Sequence, residues 1–314
     1  MVSISSSKLI RQRTKEFCDK VKNWIFDRDN KLVNQIYKFI KNEYDIIPKN
    51  ERVRKGMIYI SKYVAKEMVQ YLKDHVNNDK NYYINLTNKS FNLGEKHDNI
   101  HLQLFALLLL SEYINNFPEN IDDIVPLIKK YANHNDWAVR ETICFSIISV
   151  LRKDPEKILK HINKWIDSDN ENLRRLVSES LRPSAQIKWL RISNKNDKVL
   201  EILTKLNKDA SIYVRKSVGN NIKDLSKYMP EKILVLMEEW IKKSKIKVHD
   251  ELATEIGLSK EQKRLIWTMK HGMRWIKDRN PEFHSRLEKI LGKNYILYYN
   301  EKKNKLAKPD LQNY

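Results

Sequence analysis

The feature that most constrains the fold of this chain is an internal repeat. The run that begins Pro155-Glu-Lys-Ile-Leu ends at Trp165-Ile, and an equally spaced run from Pro230 ends at Trp240-Ile. Three other segments also resemble one another, because each has an arginine inside an apolar helical pattern. These arginines are Arg140, Arg174 and Arg215. Self-similarity at about 35 to 45 residues, with two helices per unit, is typical of HEAT-like repeats. The sequence therefore predicts an all-α HEAT-like helical-repeat solenoid, an α-α superhelix with a concave basic surface.

Composition agrees with a helical chain and indicates a partner. Only 6 Gly and 8 Pro interrupt 314 residues, which favours long helical stretches. Sixty Lys and Arg against 40 Asp and Glu give a formal net charge of +20. Such a charge favours a polyanionic partner, for which nucleic acid is the first candidate and a membrane surface or an acidic protein the alternatives.

Several classes of protein are not supported by the sequence. Cys18 and Cys144 lie far apart, so they indicate neither a cysteine-based metal site nor a disulfide framework. The apolar run 104–110 is much shorter than the ~20 residues that span a bilayer, and the start has no signal-type apolar core. No glycine-rich phosphate loop, HExxH motif or Cys/His cluster occurs, and His271 has no second ligand at metal spacing. We therefore expect a cytoplasmic protein with no membrane association, no metal and no cofactor.

Changes in pattern along the chain predict its organisation. Residues 1–76 are expected to form an N-terminal helical region, and 77–100 an Asn/Lys-rich loop. The HEAT-like repeat region is expected over 101–292, and a basic C-terminal tail over 293–314. The whole is expected to be one continuous solenoid domain and a monomer.

Basic residues of successive repeats would form a track, because a solenoid places equivalent positions side by side. The candidate phosphate-binding residues are Arg140, Arg174, Arg175, Arg182, Arg215 and Lys216. In the alternative interpretation each arginine pairs with an aspartate that holds the repeats together. The candidate partners are Asp136, Asp169 and Asp209. From the residues alone, both interpretations stay open for any single arginine.

Aromatic and acidic residues near this track are candidates for chemistry on DNA. Trp137 and Trp189 are suited to packing against a deoxyribose, whereas Trp165 and Trp240 occupy equivalent positions expected to lie in the core. The candidate catalytic carboxylates are Asp136, Glu141 and Asp224. A carboxylate held against a cationic sugar would stabilise it and orient water. Helix capping or ion pairing is the alternative role for each.

Two longer motifs resemble a known family. The run 173–183, Leu-Arg-Arg-Leu-Val-Ser-Glu-Ser-Leu-Arg-Pro, and the run 213–227, which begins Tyr-Val-Arg-Lys-Ser-Val, resemble segments of the HEAT-like DNA alkylation repair glycosylases. They are most similar to the AlkC branch, whose segments read close to VRRLVSEGxRPRLPW and YVRRSVANHLNDIAK. The run 265–275 is similar to that family's terminal helix.

The resemblance implies an activity and assigns roles to residues. It implies binding of duplex DNA that contains alkylated bases, with hydrolysis of the N-glycosidic bond of cationic alkylpurines such as 3-methyladenine or 7-methylguanine, without base flipping. Asp224 matches the aspartate of the HLND segment, and Trp189 falls at the tryptophan of RPRLPW. The catalytic glutamate of the AlkC branch aligns with Asp136. The spacing from tryptophan to catalytic aspartate in the AlkD branch is reproduced by Trp137 and Glu141.

Two other functions fit the same residues. A non-catalytic DNA-binding HEAT-repeat protein would need the basic track but no carboxylate. A protein-interaction scaffold would need neither, since its arginines would hold repeats together and its charge would be solvated. Salt dependence of duplex binding separates the scaffold from the DNA-binding functions, because phosphate contacts make affinity fall steeply with salt.

Overall fold

Helices make up nearly all of the part of the chain that is described. The computed structural model describes residues 3–76, 78–183, 187–245 and 258–291, together with the backbone of 299–300 and 305–306. Those last residues form an antiparallel pair of two-residue strands, Tyr299–Asn300 and Lys305–Leu306. The rest of the predicted tail 293–314 lies outside the described residues. The chain divides into two compact units, Met1–Ile158 and Leu159–Tyr314.

The first unit is a set of packed helices around one central helix. Its helices are α1 (Ser7–Lys20), α2 (Lys22–Phe26), α3 (Lys31–Asp45), α4 (Met57–Val76), α5 (Lys80–Lys96), α6 (Ile100–Asn116), α7 (Ile121–Ala132) and α8 (Trp137–Lys153), with short 3-10 turns at Lys49–Glu51 and Pro118–Asn120. Helix α6 packs against α4, α5 and α8, and its run 104–110 is buried throughout. An apolar pattern on every face suits a helix that neighbours cover on all sides. Helices α4, α6 and α8 therefore form one layer, against which α5 and α7 pack.

The second unit repeats this arrangement. Helix α9 (Pro155–Trp165) contains the boundary between the units, and α10 (Glu171–Ser180), α11 (Asp197–Leu206), α12 (Ile212–Leu225), α13 (Pro230–Lys243), α14 (Lys260–Gly272) and α15 (Phe283–Leu291) follow, with 3-10 turns at Lys188–Arg191, Ser193–Lys195 and Ile276–Asp278. Helix α12 packs against α10 and α14 in one layer, and α11 and α13 pack against α12. Alternation of layers along consecutive helix pairs is the HEAT-like arrangement, so the all-α HEAT-like prediction is confirmed.

The two repeat-defining tryptophans have the predicted packing role. Trp165 and Trp240 are both almost fully buried, on α9 and α13. The indole Nε1 of Trp240 donates a hydrogen bond to Thr204 Oγ1 at 2.9 Å, which satisfies its polar atom inside the apolar layer.

The predicted Asn/Lys-rich loop over 77–100 is wrong, because most of it is helix α5. Asp79 caps this helix by accepting a hydrogen bond from the Tyr82 backbone N–H, and Asn99 caps α6 in the same way. Aromatic and small residues from Tyr83 to Gly94 recur at helical spacing and are buried, while the asparagines and lysines between them mostly face outward. Tyr83 stacks on Tyr113 of α6 with ring centroids 4.4 Å apart. Tertiary packing of this buried face outweighs the low helix propensity of the asparagines.

The N-terminal region, the domain organisation and the oligomeric state were also predicted from the sequence. Residues 3–76 contain helices α1 to α4 and the 3-10 turn Lys49–Glu51, and the assignment of 1–76 as a separate N-terminal region stays a prediction. That the repeats act as one continuous solenoid domain, and as a monomer, stays a prediction. Cys18 and Cys144 are buried free thiols. Among the described residues, no helix is long and apolar enough to cross a membrane, and no group of three metal-ligating side chains occurs.

Candidate nucleic-acid interface

Three loops, before α8, α10 and α12, share one pattern of hydrogen bonds. The helix caps are Asp136, Asn170 and Ser211. Each cap side chain accepts a hydrogen bond from the N–H two residues later, at 2.7, 2.8 and 3.2 Å respectively. The residue two places before each cap accepts a hydrogen bond from the cap's own N–H; these residues are His134, Ser168 and Asp209. Because caps satisfy backbone groups that a helix start leaves open, the pattern fixes where each of these helices begins.

The recurring arginines complete the same pattern. Arg140, Arg174 and Arg215 each stand four residues after a cap. The Nη1 atom of each donates to the two carbonyl oxygens that precede its cap, at distances between 2.6 and 3.0 Å. Each guanidinium therefore closes the loop in front of its own helix. Repetition of these three positions, at −2, 0 and +4 from the cap, is the physical origin of the sequence repeat.

In the second unit one of these arginines also joins two neighbouring repeats. Arg174 donates from Nε and Nη2 to the two carboxylate oxygens of Asp209, at 2.7 and 3.0 Å. Asp209 is also the residue whose carbonyl receives Arg215 Nη1. Among the aspartates predicted to pair with arginines, Asp209 is thus confirmed for Arg174, whereas Asp136 acts as a cap.

The prediction that Arg215 contacts phosphate needs correction. Its side chain is only 2% exposed, and its guanidinium lies over the Trp267 ring at 5.5 Å from the centroid. Burial lowers the pKa of Arg215, and the nearby charge of Arg264 lowers it further. A guanidinium this deep cannot reach a phosphate in this conformation, so Arg215 supports the loop before α12.

Three of the predicted site residues meet in one ion-pair network. Arg182 donates from Nη1 to Glu179 at 2.6 Å and from Nη2 to Asp224 at 2.5 Å, so it bridges helices α10 and α12. Glu179 also receives Arg175 Nη1 at 3.4 Å and the Ser217 hydroxyl at 2.8 Å. We call these five residues the α10–α12 network. Glu179 stands one turn before Arg182, a spacing at which the two side chains can pair.

Asp224 is the most strongly perturbed carboxylate of this network. Burial raises its pKa, but hydrogen bonds from Arg182, Lys227 and Lys223 outweigh burial and lower the pKa to about 2. The two lysine Nζ atoms lie 3.0 and 3.1 Å from Asp224 Oδ1. Asp224 is therefore ionised at neutral pH, and three cations share its charge. This environment suits a residue that holds cations in place better than one that exchanges a proton.

The other second-unit candidates lie around the network. Arg175 stacks over the Tyr213 ring at 4.1 Å from its centroid, and Lys216 is exposed on α12. Trp189 is half-buried in the 3-10 turn Lys188–Arg191. The segment 184–186 before this turn lies outside the described residues.

The first-unit candidates all lie at the start of α8. Trp137 is the first residue of the helix, and its side chain is 68% exposed. Asp136 immediately before it uses Oδ1 for capping, and Oδ2 accepts no hydrogen bond from the described part of the chain. Glu141 is half-buried one turn further on, on the same face as Trp137. Structure thus places a solvent-facing indole beside a partly engaged carboxylate.

The site prediction therefore divides between the two units. Asp136, Trp137, Arg140 and Glu141 lie together in the first unit, and the remaining candidates lie in the second. A further group that sequence analysis missed consists of Asn220, His271 and Arg274. His271 lies in the last turn of α14 and Arg274 just after its end, and no local sequence pattern indicates that they meet Asn220 of α12.

Comparison with known proteins yields a family and a fold. The family model for the DNA alkylation repair enzyme matches residues 59–255. The uncharacterized protein YhaZ of Bacillus subtilis (strain 168) is 37% identical over 144 residues, which are 45% of this chain. The match spans 38% of the length of that relative.

Two solved structures resemble this one. AlkD2 from Streptococcus mutans has a TM-score of 0.53 at 19% identity, with 77% of this chain and 97% of that chain covered. This likeness shows a common fold. Pseudomonas fluorescens alkylpurine DNA glycosylase AlkC, bound to DNA containing an abasic site analogue, has a TM-score of 0.48 at 21% identity, with 82% and 66% covered.

Proposed function

Because the chain belongs to the DNA alkylation repair enzyme family, whose model matches residues 59–255, we propose that it is a DNA-alkylpurine glycosylase. It binds duplex DNA that contains alkylated bases and hydrolyses the N-glycosidic bond of cationic purines of the 3-methyladenine or 7-methylguanine type. The observation that carries the proposal is the pair at the start of α8, an indole that is 68% exposed next to the carboxylate of Asp136. An indole so exposed contributes little to packing and is available to a ligand.

The protein does not need to activate the leaving group, because a cationic base is already a good leaving group. The bond between C1′ of the deoxyribose and the base nitrogen breaks, and its electron pair leaves with the base, which becomes neutral. Positive charge then develops on the sugar as an oxocarbenium ion. Water adds to C1′ and loses a proton, which the carboxylate accepts. A carboxylate close to C1′ thus stabilises the charged sugar and positions the water.

Among the three candidate carboxylates, Asp136 fits this role best. Its capping hydrogen bond uses Oδ1, and the next residue in the chain is the exposed Trp137, whose ring would pack on the sugar from outside the duplex. This mode of contact needs no pocket for a flipped base, in keeping with excision without base flipping. Glu141 is the second candidate because it shares a helical face with Trp137. Asp224 is third, since three cations already share its charge.

The basic residues of the second unit supply the DNA contacts in this proposal. Arg175, Arg182 and Lys216 are the phosphate candidates, because each is exposed or half-buried on α10 or α12 or directly after α10. Arg140 and Arg174 are weaker candidates, because Arg140 Nη1 donates to loop carbonyls and all three guanidinium nitrogens of Arg174 donate to loop carbonyls or to Asp209. The formal charge of +20 favours this partner over an electrically neutral one.

Release of free base tests the proposal. Duplex DNA treated with a methylating agent is incubated with the purified full chain in EDTA, and free 3-methyladenine and 7-methylguanine are quantified by mass spectrometry. We expect release well above the spontaneous rate, unaffected by EDTA, because the proposed chemistry uses no metal. Untreated duplex of the same sequence is the control and should yield no free base.

A non-catalytic DNA-binding protein is the second candidate function, favoured by the observation that most of the predicted acids are engaged in caps or ion pairs. It predicts duplex binding with salt dependence and no release of methylated base. Absence of release over many hours, with salt-sensitive binding intact, would contradict the glycosylase proposal and support this one.

A further inference from the structure

Helix α12, the last turn of α14 and the turn that follows α14 bring together a group of side chains that the α10–α12 network does not use. Arg274 Nη2 donates to Asn220 Oδ1 at 2.8 Å, and Arg274 Nε donates to the His271 carbonyl at 2.7 Å. His271 Nε2 lies 3.0 Å from the same Asn220 oxygen. Because a guanidinium only donates hydrogen bonds, the Asn220 atom that it faces is the amide oxygen. His271 Nε2 must then carry the imidazole proton.

Close approach of the two helices makes this arrangement rigid. A Cβ atom at position 219 would lie 2.6 Å from His271 Cδ2, so only glycine allows the imidazole to sit against α12. His271 also stacks on Trp267, with centroids 5.2 Å apart and planes 8° apart. The ring therefore has little freedom, and the Asn220 side chain that it holds is fixed with it.

Lys216, Asn220 and Arg274 keep hydrogen-bond donors that are not used by other described residues. Asn220 uses its oxygen twice, so its amide Nδ2 points away with both hydrogens. Lys216 stands one turn earlier on α12, is exposed, and has no carboxylate partner among the described residues. Arg274 is exposed. Its hydrogen bonds to other described residues use Nε and Nη2, which leaves Nη1 as a further donor. The group thus offers an ammonium, an amide N–H and a guanidinium N–H to an anion.

Electrostatics indicate that several cations lie close to the His271 ring. Burial lowers the pKa of His271 to about 4, with further lowering by the charges of Arg274, Lys216 and Lys223. Three cations, two on α12 and one in the turn after α14, therefore act on one imidazole. Asp224 is the acidic group that acts on Arg274, but Arg182, Lys223 and Lys227 already share that carboxylate. Like charges held this close are destabilising unless an anion joins them.

We propose that Lys216, Asn220 and Arg274 form a binding site for one phosphodiester group of the DNA backbone. The inference rests on the proposed function for its partner, duplex DNA, and adds a specific anion site between α12 and α14. Charge-assisted hydrogen bonds from an ammonium and a guanidinium to phosphate oxygens are strong, and the amide adds a directional donor. Such a contact positions the duplex and reads no sequence.

The salt dependence of duplex binding tests this site. The double variant Lys216→Gln/Arg274→Gln is compared with the parent on an undamaged duplex over a series of salt concentrations. A matched double variant, Lys205→Gln/Lys242→Gln, removes the same charge from exposed positions on α11 and α13. The slope of log affinity against log salt should fall in magnitude by about 1 in the α12–α14 variant, because one phosphate contact is lost. The matched variant should keep the parental slope.

A slope in the α12–α14 variant equal to that of the matched variant would overturn the site, as would a parent that does not bind duplex at all. Failure of the glycosylase proposal has a different signature, namely normal binding and slopes without release of methylated base. Competition between inorganic phosphate and the duplex is a further test. If it competes with the duplex only in proteins that retain Lys216 and Arg274, the shared phosphate chemistry is supported; equal competition in the α12–α14 variant would contradict it.

His271 gives a second readout that a merely structural role would not change. A bound phosphate offsets the cations that hold the His271 pKa down, so the pKa should rise from about 4 when duplex is added. Because the bound form then takes up a proton more readily, duplex affinity should increase as the pH falls towards that range. NMR titration of the His271 ring, with and without duplex, measures the shift. No change in the parent would contradict the proposal.

Discussion

Replacing Asp209 with asparagine is expected to lower the free energy of unfolding by about 3 kcal/mol. Its carboxylate receives two hydrogen bonds from Arg174 and one from the Ser211 N–H, and its side chain is only 6% exposed. Asparagine can still accept from Ser211, but its amide group opposes a guanidinium that only donates. A buried cation would then lose its counter-charge, which costs far more than a surface pair. Urea denaturation followed by tryptophan fluorescence measures the change.

Asp197→Asn is the matched control for this prediction. Asp197 pairs with Lys232 in the same unit at 2.5 Å, but its side chain is 68% exposed. Removal of that charge should cost less than about 0.5 kcal/mol. If Asp209→Asn proved no more destabilising than Asp197→Asn, the pair of Arg174 and Asp209 would not hold the repeats together in the way described.

Trp137→Ala is expected to lower activity strongly without loss of stability. The indole is 68% exposed, so its removal should change the free energy of unfolding by less than about 0.5 kcal/mol. Packing of an aromatic ring on a nucleotide is worth about 1–3 kcal/mol. Release of methylated base from alkylated duplex should therefore fall by about 10- to 100-fold, as measured in single-turnover reactions.

Phe145→Ala on the same helix is the control for Trp137. Phe145 is also exposed, at 37%, and stands about two turns further along α8. Its removal should leave the release rate within about twofold of the parent. A Trp137 variant that folds normally and releases base at the parental rate would remove the indole from the proposed site.

The fold was largely predictable because the residues that pack the core and close the loops recur at the repeat spacing. Trp165 and Trp240 fill equivalent buried positions, and the spacing of Arg140, Arg174 and Arg215 follows the loops that they close. Helix α5 was not predictable from composition, since its asparagines resemble those of a loop. Its buried face becomes evident only when α6 covers it.

The site was less predictable than the fold, because one residue type serves two purposes. An arginine in a helical pattern is equally compatible with loop closure and with phosphate contact, and only burial assigned Arg215 to the first. Asp136 is compatible with both capping and catalysis for the same reason. The grouping of Asn220, His271 and Arg274 depends on how closely α12 and α14 approach, which no local pattern encodes.

The measurement that tests the central claim most directly is single-turnover release of methylated purine from alkylated duplex, in EDTA, by Asp136→Asn, Glu141→Gln and Asp224→Asn beside the parent. We predict release by the parent and a loss of at least about 100-fold in Asp136→Asn, with duplex affinity retained. Glu141→Gln and Asp224→Asn should lose less. Parental release in all three variants would contradict catalysis by a carboxylate, and absence of release from the parent would contradict the glycosylase function itself.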